Sequence, residues 1–242
     1  SSDVCSSDLN PPVPGHASLA KGADKSDPAS YDIFKGSDYA PDRINAAALE
    51  FIKQNKDRPF FLYYPTVIPH VALHVPDEDL KPYLDLGWND PPFTRGKGYG
   101  YTPHFTPRAA YAAMITRLDQ YVGKLLDLLD ELDLSDNTLV VFTSDNGTTH
   151  LDLEVDYEFF KSVGELRGLK GSLYEGGVRV PTLVRWPGHV TTRGMLGQLL
   201  GAAGDAVTEV PAARWEAGEG QRVEEQQHAP SSVRFGGFVG RA

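Results

Sequence analysis

"TPRAAYAAMITRLDQYVGKLLDLLDELDLSDNTLVVFTSDNG", residues 106–147, holds a long helix, a strand and a polar turn, in that order. Thr106 suits a helix cap, and Pro107 suits the first helical position, where its missing N–H leaves no bond unmade. Tyr111, Ile115, Leu118, Val122, Leu125, Leu129 and Leu132 then recur in steps of four and three. That period predicts one apolar stripe along a helix. "DLSDN" interrupts it, and "TLVVFT" (Thr138–Thr143) follows as a continuous apolar run, the pattern of a strand covered on both faces.

The same alternation extends upstream. A helix is predicted from Pro41, with Ile44, Ala47, Ala48, Phe51 and Ile52 on one face, broken by "NKDRP". "FFLYY" (Phe60–Tyr64) reads as a second strand buried on both faces. Downstream, "VPTLVRW" (Val180–Trp186) predicts a third strand, which Pro181 places at an edge or a strand start. Helix, strand, long excursion, helix and strand predict an α/β protein with a largely parallel central sheet flanked by helices. Residues 10–40 are rich in Pro, Ser, Gly and Asp and read as irregular. From Val190 the chain turns to Gly, Ala, Glu, Gln and Arg; "GMLGQLLGAAG" is a short helix candidate, and nothing after it carries a period.

At 242 residues the chain suffices for one sizeable domain, or a domain with a tail. A net charge of −10 argues against nucleic-acid binding but leaves an anionic substrate open, because the local field outweighs the total. No apolar run approaches the roughly 18 residues of a membrane span, and no signal-peptide pattern opens the chain. Cys5 is the sole cysteine, which rules out an internal disulfide.

Three loops carry candidate chemistry. "FTSDNG" sets Asp145 and Asn146 just past a predicted strand end, where α/β sheets bind ligands. Their paired oxygens suit Ca²⁺ or Mg²⁺, although Asp, Asn and Gly also make simple turns. "GLKGSLYEGGVRVP" (Gly168–Pro181) offers tight backbone paths around the cation of Lys170, or else a solvated surface loop. "PTVIPHVALHVP" (Pro65–Pro76) places His70 and His74 past the first predicted strand. Either can do general-acid work on a leaving group, or be satisfied by backbone groups. His104 and His16 are assigned the latter reading. Together the loops outline an anion-transfer site at one edge of the sheet.

In "RPFFLYYPTVIPHVALHVP", "YAAMITRLDQYVGKLLDLLDELDLSDNTLVVFTSDNG" and "LRGLKGSLYEGGVRVPTLVRWPGH", spanning Arg58–His189, the chain resembles the sulfatase family of the alkaline phosphatase-like superfamily. The bacterial arylsulfatases are the nearest likeness. The resemblance implies a sulfuric ester hydrolase that cleaves sulfate esters with a formylglycine nucleophile and Ca²⁺, Mg²⁺ being the alternative ion. Asp145 and Asn146 match the downstream half of the metal site. Lys170 matches the lysine that contacts the sulfate group. His70 matches the histidine that contacts sulfate and protonates the leaving oxygen, and His150 lines the substrate pocket. The implied partner is a sulfated small molecule or a sulfated glycan, with no nucleic acid and no membrane. The implied location is periplasmic or secreted. A phosphate or phosphonate ester hydrolase of the same superfamily is one alternative, disfavoured by Asn146, where such enzymes often carry histidine. A non-catalytic sulfated-glycan binder is the other.

The family's nucleophile arises from a Cys/Ser-x-Pro/Ala-x-Arg motif. Cys5 stands in "CSSDL" and does not match, and no serine of the chain fits. Residues 1–9, "SSDVCSSDL", are the in-frame translation of a common sequencing adapter and are read as non-native. The expected organisation is therefore a catalytic domain incomplete at its N-terminus. Residues 10–189 form its central part, and residues 190–242 form an unassigned tail, frameshifted or genuinely divergent. The chain alone is expected to be inactive. Specificity is expected from pocket loops that include residues 77–105, rich in aromatics and glycine.

Overall fold

Proline sets where the first long helix begins. In the computed structural model, which describes residues 18–94, 101–149, 155–190 and the backbone of 235–241, α1 spans Ala40–Asn55 with Pro41 in its first turn. Its buried face is Pro41, Asn45, Ala48, Ile52 and Asn55, so the helix is rotated from the predicted stripe and Ala47 faces solvent. The inward asparagines are bonded: Asn55 donates to the Phe51 carbonyl at 2.7 Å and accepts from Arg58 Nε at 2.8 Å, while Asn45 accepts from the Tyr64 hydroxyl at 3.4 Å. A buried polar group with partners is tolerated, and an apolar period cannot reveal it.

β1 (Phe61–Pro65) corrects a second expectation. Phe60 and Tyr64 are buried, but Phe61 is 63% and Tyr63 54% exposed, so this strand alternates rather than being covered on both faces. Its inner face joins Ala48, Ile52, Leu125, Leu128, Leu129, Leu134 and Val140 in one apolar cluster. The expected irregular segment before α1 contains a short 3₁₀ turn, Pro28–Phe34, whose Tyr31 and Phe34 are buried.

α2 (Asp77–Leu84) packs on α3 (Pro107–Glu131), and α3 links the cluster under β1 to a second one built on Ile68, Val71, Leu73, Tyr111, Met114, Leu118 and Tyr121. Burying one such side chain is worth roughly 1.5–3 kcal/mol, so this stripe, more than helix propensity, holds α3. Thr106 occupies the cap position without a side-chain cap bond. The Asp90 carboxylate, far back in the chain, instead accepts from the N–H groups of Arg108 and Ala109, each at 2.9 Å. Arg117 on α3 grips Asp42 and Asp79 and donates to the Tyr121 hydroxyl, tying α1, α2 and α3 together. Burial pushes the Asp42 carboxyl up, but its bonds to Arg117 and Tyr121 outweigh this and hold it below the ordinary value.

β2 (Thr138–Ser144), β3 (Thr182–Arg185) and β4 (Phe235–Arg241) complete a sheet ordered β1-β4-β2-β3, with α4 (Glu175–Val178) just before β3. The α/β architecture is as expected, and β3 takes the edge position that Pro181 predicts. The pairing within this sheet is not largely parallel. β4 lies antiparallel between β1 (Tyr63 opposite Phe238) and β2 (Val141 opposite Phe238), and β2 pairs antiparallel with β3 (Val141 opposite Val184). β1 and β2 run in the same direction, but the tail strand separates them. Glycines 236, 237 and 240 deprive β4 of the alternating apolar pattern by which a strand is read. "GMLGQLLGAAG", residues 1–9 and the rest of the tail apart from β4 lie outside the described residues. No described helix is long and apolar enough to cross a membrane.

Candidate active site

Past β1 the chain turns through "TVIPHVALHVP" with Ile68, Val71, Ala72 and Leu73 buried, which leaves His70 half-buried between anchored neighbours. The peptide bonds Ile68–Pro69 and Val71–Ala72 on either side of it are cis. His70 Nδ1 lies 2.6 Å from the Val71 carbonyl. A carbonyl only accepts, so Nδ1 carries the proton and Nε2 is left with its lone pair. That Nε2 faces Lys170 Nζ at 3.3 Å, across 100 residues of chain. The two residues singled out from separate loops therefore meet, with the ammonium donating to the imidazole.

Backbone contacts hold Lys170 in place. Its own N–H donates to the Thr148 carbonyl at 2.6 Å, and the N–H of Gly147 donates to the Gly177 carbonyl at 2.9 Å. A Cβ on Gly147 would stand 2.0 Å from the Gly176 carbonyl oxygen, so only glycine permits this approach. The turn after β2 and the lysine loop thus lie backbone against backbone. Asp145 and Asn146 stand at the start of that turn, the first exposed and the second half-buried. Ser144 Oγ steadies them, donating to the Asn146 carbonyl at 2.6 Å and accepting from the Asn146 N–H at 3.2 Å. His150 lies outside the described residues.

The carboxylate and carboxamide are hard oxygen donors that fit Ca²⁺ or Mg²⁺. They are not a complete set: no group of three or more His, Cys, Asp or Glu suited to a metal occurs among the described residues. Calcium takes about six to eight oxygens, so these two side chains alone would supply only part of such a coordination shell.

His74 serves the interior. Its Nε2 bonds to Thr102 Oγ1, its carbonyl accepts from the Tyr39 hydroxyl at 3.0 Å, and its ring lies 5.8 Å from that of His104. Burial pushes His74 down to about 4, and burial aided by His74 itself pushes His104 down to about 3. Both are neutral at pH 7. His104 Nδ1 accepts from the Thr106 N–H at 3.0 Å, the backbone-satisfied role expected of it.

The aromatics of residues 77–105 divide between packing and the site. Trp88 meets Tyr83, Phe159 and Phe160 at centroid distances of 5.2–6.0 Å, and the Arg108 guanidinium lies 4.2 Å over Phe159, so Trp88 packs the loops together. Tyr101 stands edge to face with His70 at 5.9 Å. Sequence reading marked the aromatic richness of this segment but not this residue, because nothing in the spacing ties residue 101 to residue 70.

The profile of the Sulfatase family matches residues 14–204. The chain is 35% identical over 162 residues to the N-acetylgalactosamine-6-sulfatase of Homo sapiens, covering 66% of this chain and 26% of that one. It is 36% identical over 163 residues to the N-acetylgalactosamine-6-O-sulfatase of Bacteroides thetaiotaomicron, covering 65% and 27%. Among solved structures, Ps i-CgsB in complex with k-i-k-neocarrahexaose matches with a TM-score of 0.50 and 34% identity, covering 64% of this chain and 30% of its own. The chain thus spans less than a third of the length of each of these proteins.

Proposed function

Since the chain belongs to the sulfatase family, we propose that it is part of a sulfuric ester hydrolase whose sulfate-handling groups include Lys170 and His70. The 3.3 Å approach of Lys170 Nζ to His70 Nε2 carries this reading. A sulfate ester entering there meets a fixed cation, which draws its oxygens and stabilises charge as it builds on the leaving side. The negative charge of the substrate offsets the repulsion between Lys170 and a protonated His70. His70 can then hold a proton on Nε2, aimed at the leaving oxygen, while Nδ1 stays bonded to Val71.

Asp145 and Asn146 are the residues of this chain that would hold Ca²⁺, or Mg²⁺, with further ligands from elsewhere in the whole protein. A dication held by them would supply Lewis-acid withdrawal of charge from the sulfuryl oxygens. A formylglycine, from a Cys or Ser motif outside these 242 residues, would supply the attacking oxygen. His150 is proposed to line the pocket. The substrate class is a sulfated sugar or sulfated small molecule; two relatives named for N-acetylgalactosamine 6-sulfatase activity and an oligosaccharide-bound structural neighbour support the sugar. A periplasmic or secreted location rests on family likeness.

The test is sulfate release from N-acetylgalactosamine 6-sulfate and 4-nitrophenyl sulfate, by the product of the complete gene and by the 242-residue chain. The complete protein is expected to turn over at least one ester and the chain neither. Release by the 242-residue chain would overturn the assignment of the nucleophile to another segment. Faster cleavage of phosphate or phosphonate esters by the complete protein, or tight sulfated-glycan binding without release, would replace the sulfatase reading.

A further inference from the structure

The segment that follows α2 returns to the His70 loop and is fastened to it repeatedly. Phe93 and His104 exchange backbone bonds of 2.9 and 3.0 Å, closing the base of the excursion. Thr102 bonds to His74, the His104 ring lies 5.8 Å from the His74 ring, and Phe105 packs on the buried Tyr31 at 5.4 Å. These contacts deliver Tyr101 edge to face against His70 at 5.9 Å, with an interplanar angle of 65°. Tyr101 is half-buried, so part of its surface remains accessible. A group that protonates the leaving oxygen has the leaving group for its neighbour. An aromatic side chain next to that group is therefore placed to touch whatever ring the oxygen belongs to.

We propose that Tyr101 is a specificity-determining wall of the leaving-group pocket, selecting sulfate esters whose leaving group is a ring. The proposal rests on the roles given above to His70 and Lys170. Tyr101 offers an apolar face that a pyranose can cover with its C–H groups or an aryl ring can stack against, whereas a small alkyl group reaches neither. Thr102 and the neutral His74 and His104 act through Tyr101, fixing its position without touching substrate.

The experiment compares kcat/KM of the complete protein for phenyl sulfate, galactose 6-sulfate and methyl sulfate, in the wild type and in Tyr101→Ala, Tyr101→Leu and Tyr101→Phe. Tyr101→Leu keeps most of the volume should the alanine variant fail to fold. Loss of the ring is expected to lower kcat/KM about tenfold for a ring-bearing ester, while methyl sulfate changes less than about threefold and Tyr101→Phe stays near the wild type. Selective loss on phenyl sulfate points to an aryl leaving group, and selective loss on galactose 6-sulfate to a sugar. Equal loss on all three esters, or no loss, overturns the proposal. Equilibrium binding of the same esters gives a readout independent of turnover. If the wild type releases no sulfate yet loses ring preference on Tyr101→Leu, the sulfatase reading falls and the wall stands; if it releases sulfate with no Tyr101-dependent preference, the wall falls and the sulfatase reading stands.

Discussion

His70 and His74 lie four positions apart in one loop, yet the structure sends them to opposite kinds of environment. His70 turns toward the end of the sheet, where its Nε2 meets the Lys170 ammonium. His74 turns inward, where Thr102, Tyr39 and His104 surround it and burial keeps it neutral. One loop thus serves two ends: one imidazole keeps a lone pair for a charged partner, and the other gives its Nε2 to Thr102 and its backbone carbonyl to Tyr39. Residue type and local spacing are the same for both, and the difference lies in what the rest of the chain brings alongside.

The largest expected effect tests that division directly. In the complete protein His70→Ala should lower kcat/KM for the best sulfate ester by about 10²–10⁴-fold, the usual contribution of a positioned general acid. His74→Gln should lower thermal stability while retaining kcat for methyl sulfate within about threefold. If His74→Gln costs as much activity as His70→Ala, the two histidines do not divide as described.

The next effect is on stability. Both interior histidines have folded values below the ordinary 6.5, so on acidification the unfolded chain takes up their protons first. Their stabilisation is complete above about 6.5 and is lost as pH falls toward about 4 for His74 and about 3 for His104. The slope approaches about 1.4 kcal/mol per pH unit for each group. Urea unfolding at pH 7, 6 and 5 should show this fall, and the variant carrying His74→Gln and His104→Gln together should show a flatter one. An unchanged slope in that variant would mean that the pair is not the buried neutral couple the geometry shows.

The smallest of the three sharpens the other side. Gly147→Ala places a methyl group against the Gly176 carbonyl and should cost about 3 kcal/mol, near the top of the range for overpacking. Because the displaced loop carries Lys170, activity should fall along with the melting temperature. A variant that melts lower with full activity would show that Lys170 is held by other contacts.

Much of this was legible in advance. The α3 stripe and the strand after it follow from periodicity, because burial of a stripe depends on local spacing, and the approach of Lys170 to His70 joins two loops that residue chemistry had marked. The inward Asn45 and Asn55, the exposed Phe61 and Tyr63, and the capping of α3 by Asp90 were not legible. Each depends on a partner distant in the chain or on which face a neighbour covers. β4 was hidden by its glycines, and with it the antiparallel pairing of the sheet.

Residue composition and short-range pattern thus indicate an α/β chain, which the structure bears out, and single out three polar loops as candidates for anion chemistry. They mark which side chains can do chemistry, since charge, lone pairs and oxygen donors are properties of residues. Which of these side chains meet is decided by contacts between segments far apart in sequence. Lys170 reaches His70 across 100 residues, Tyr101 closes on that same ring, and Gly147 seats against Gly176 and Gly177. Those encounters are fixed by the packing of helices and sheet, which no local window contains.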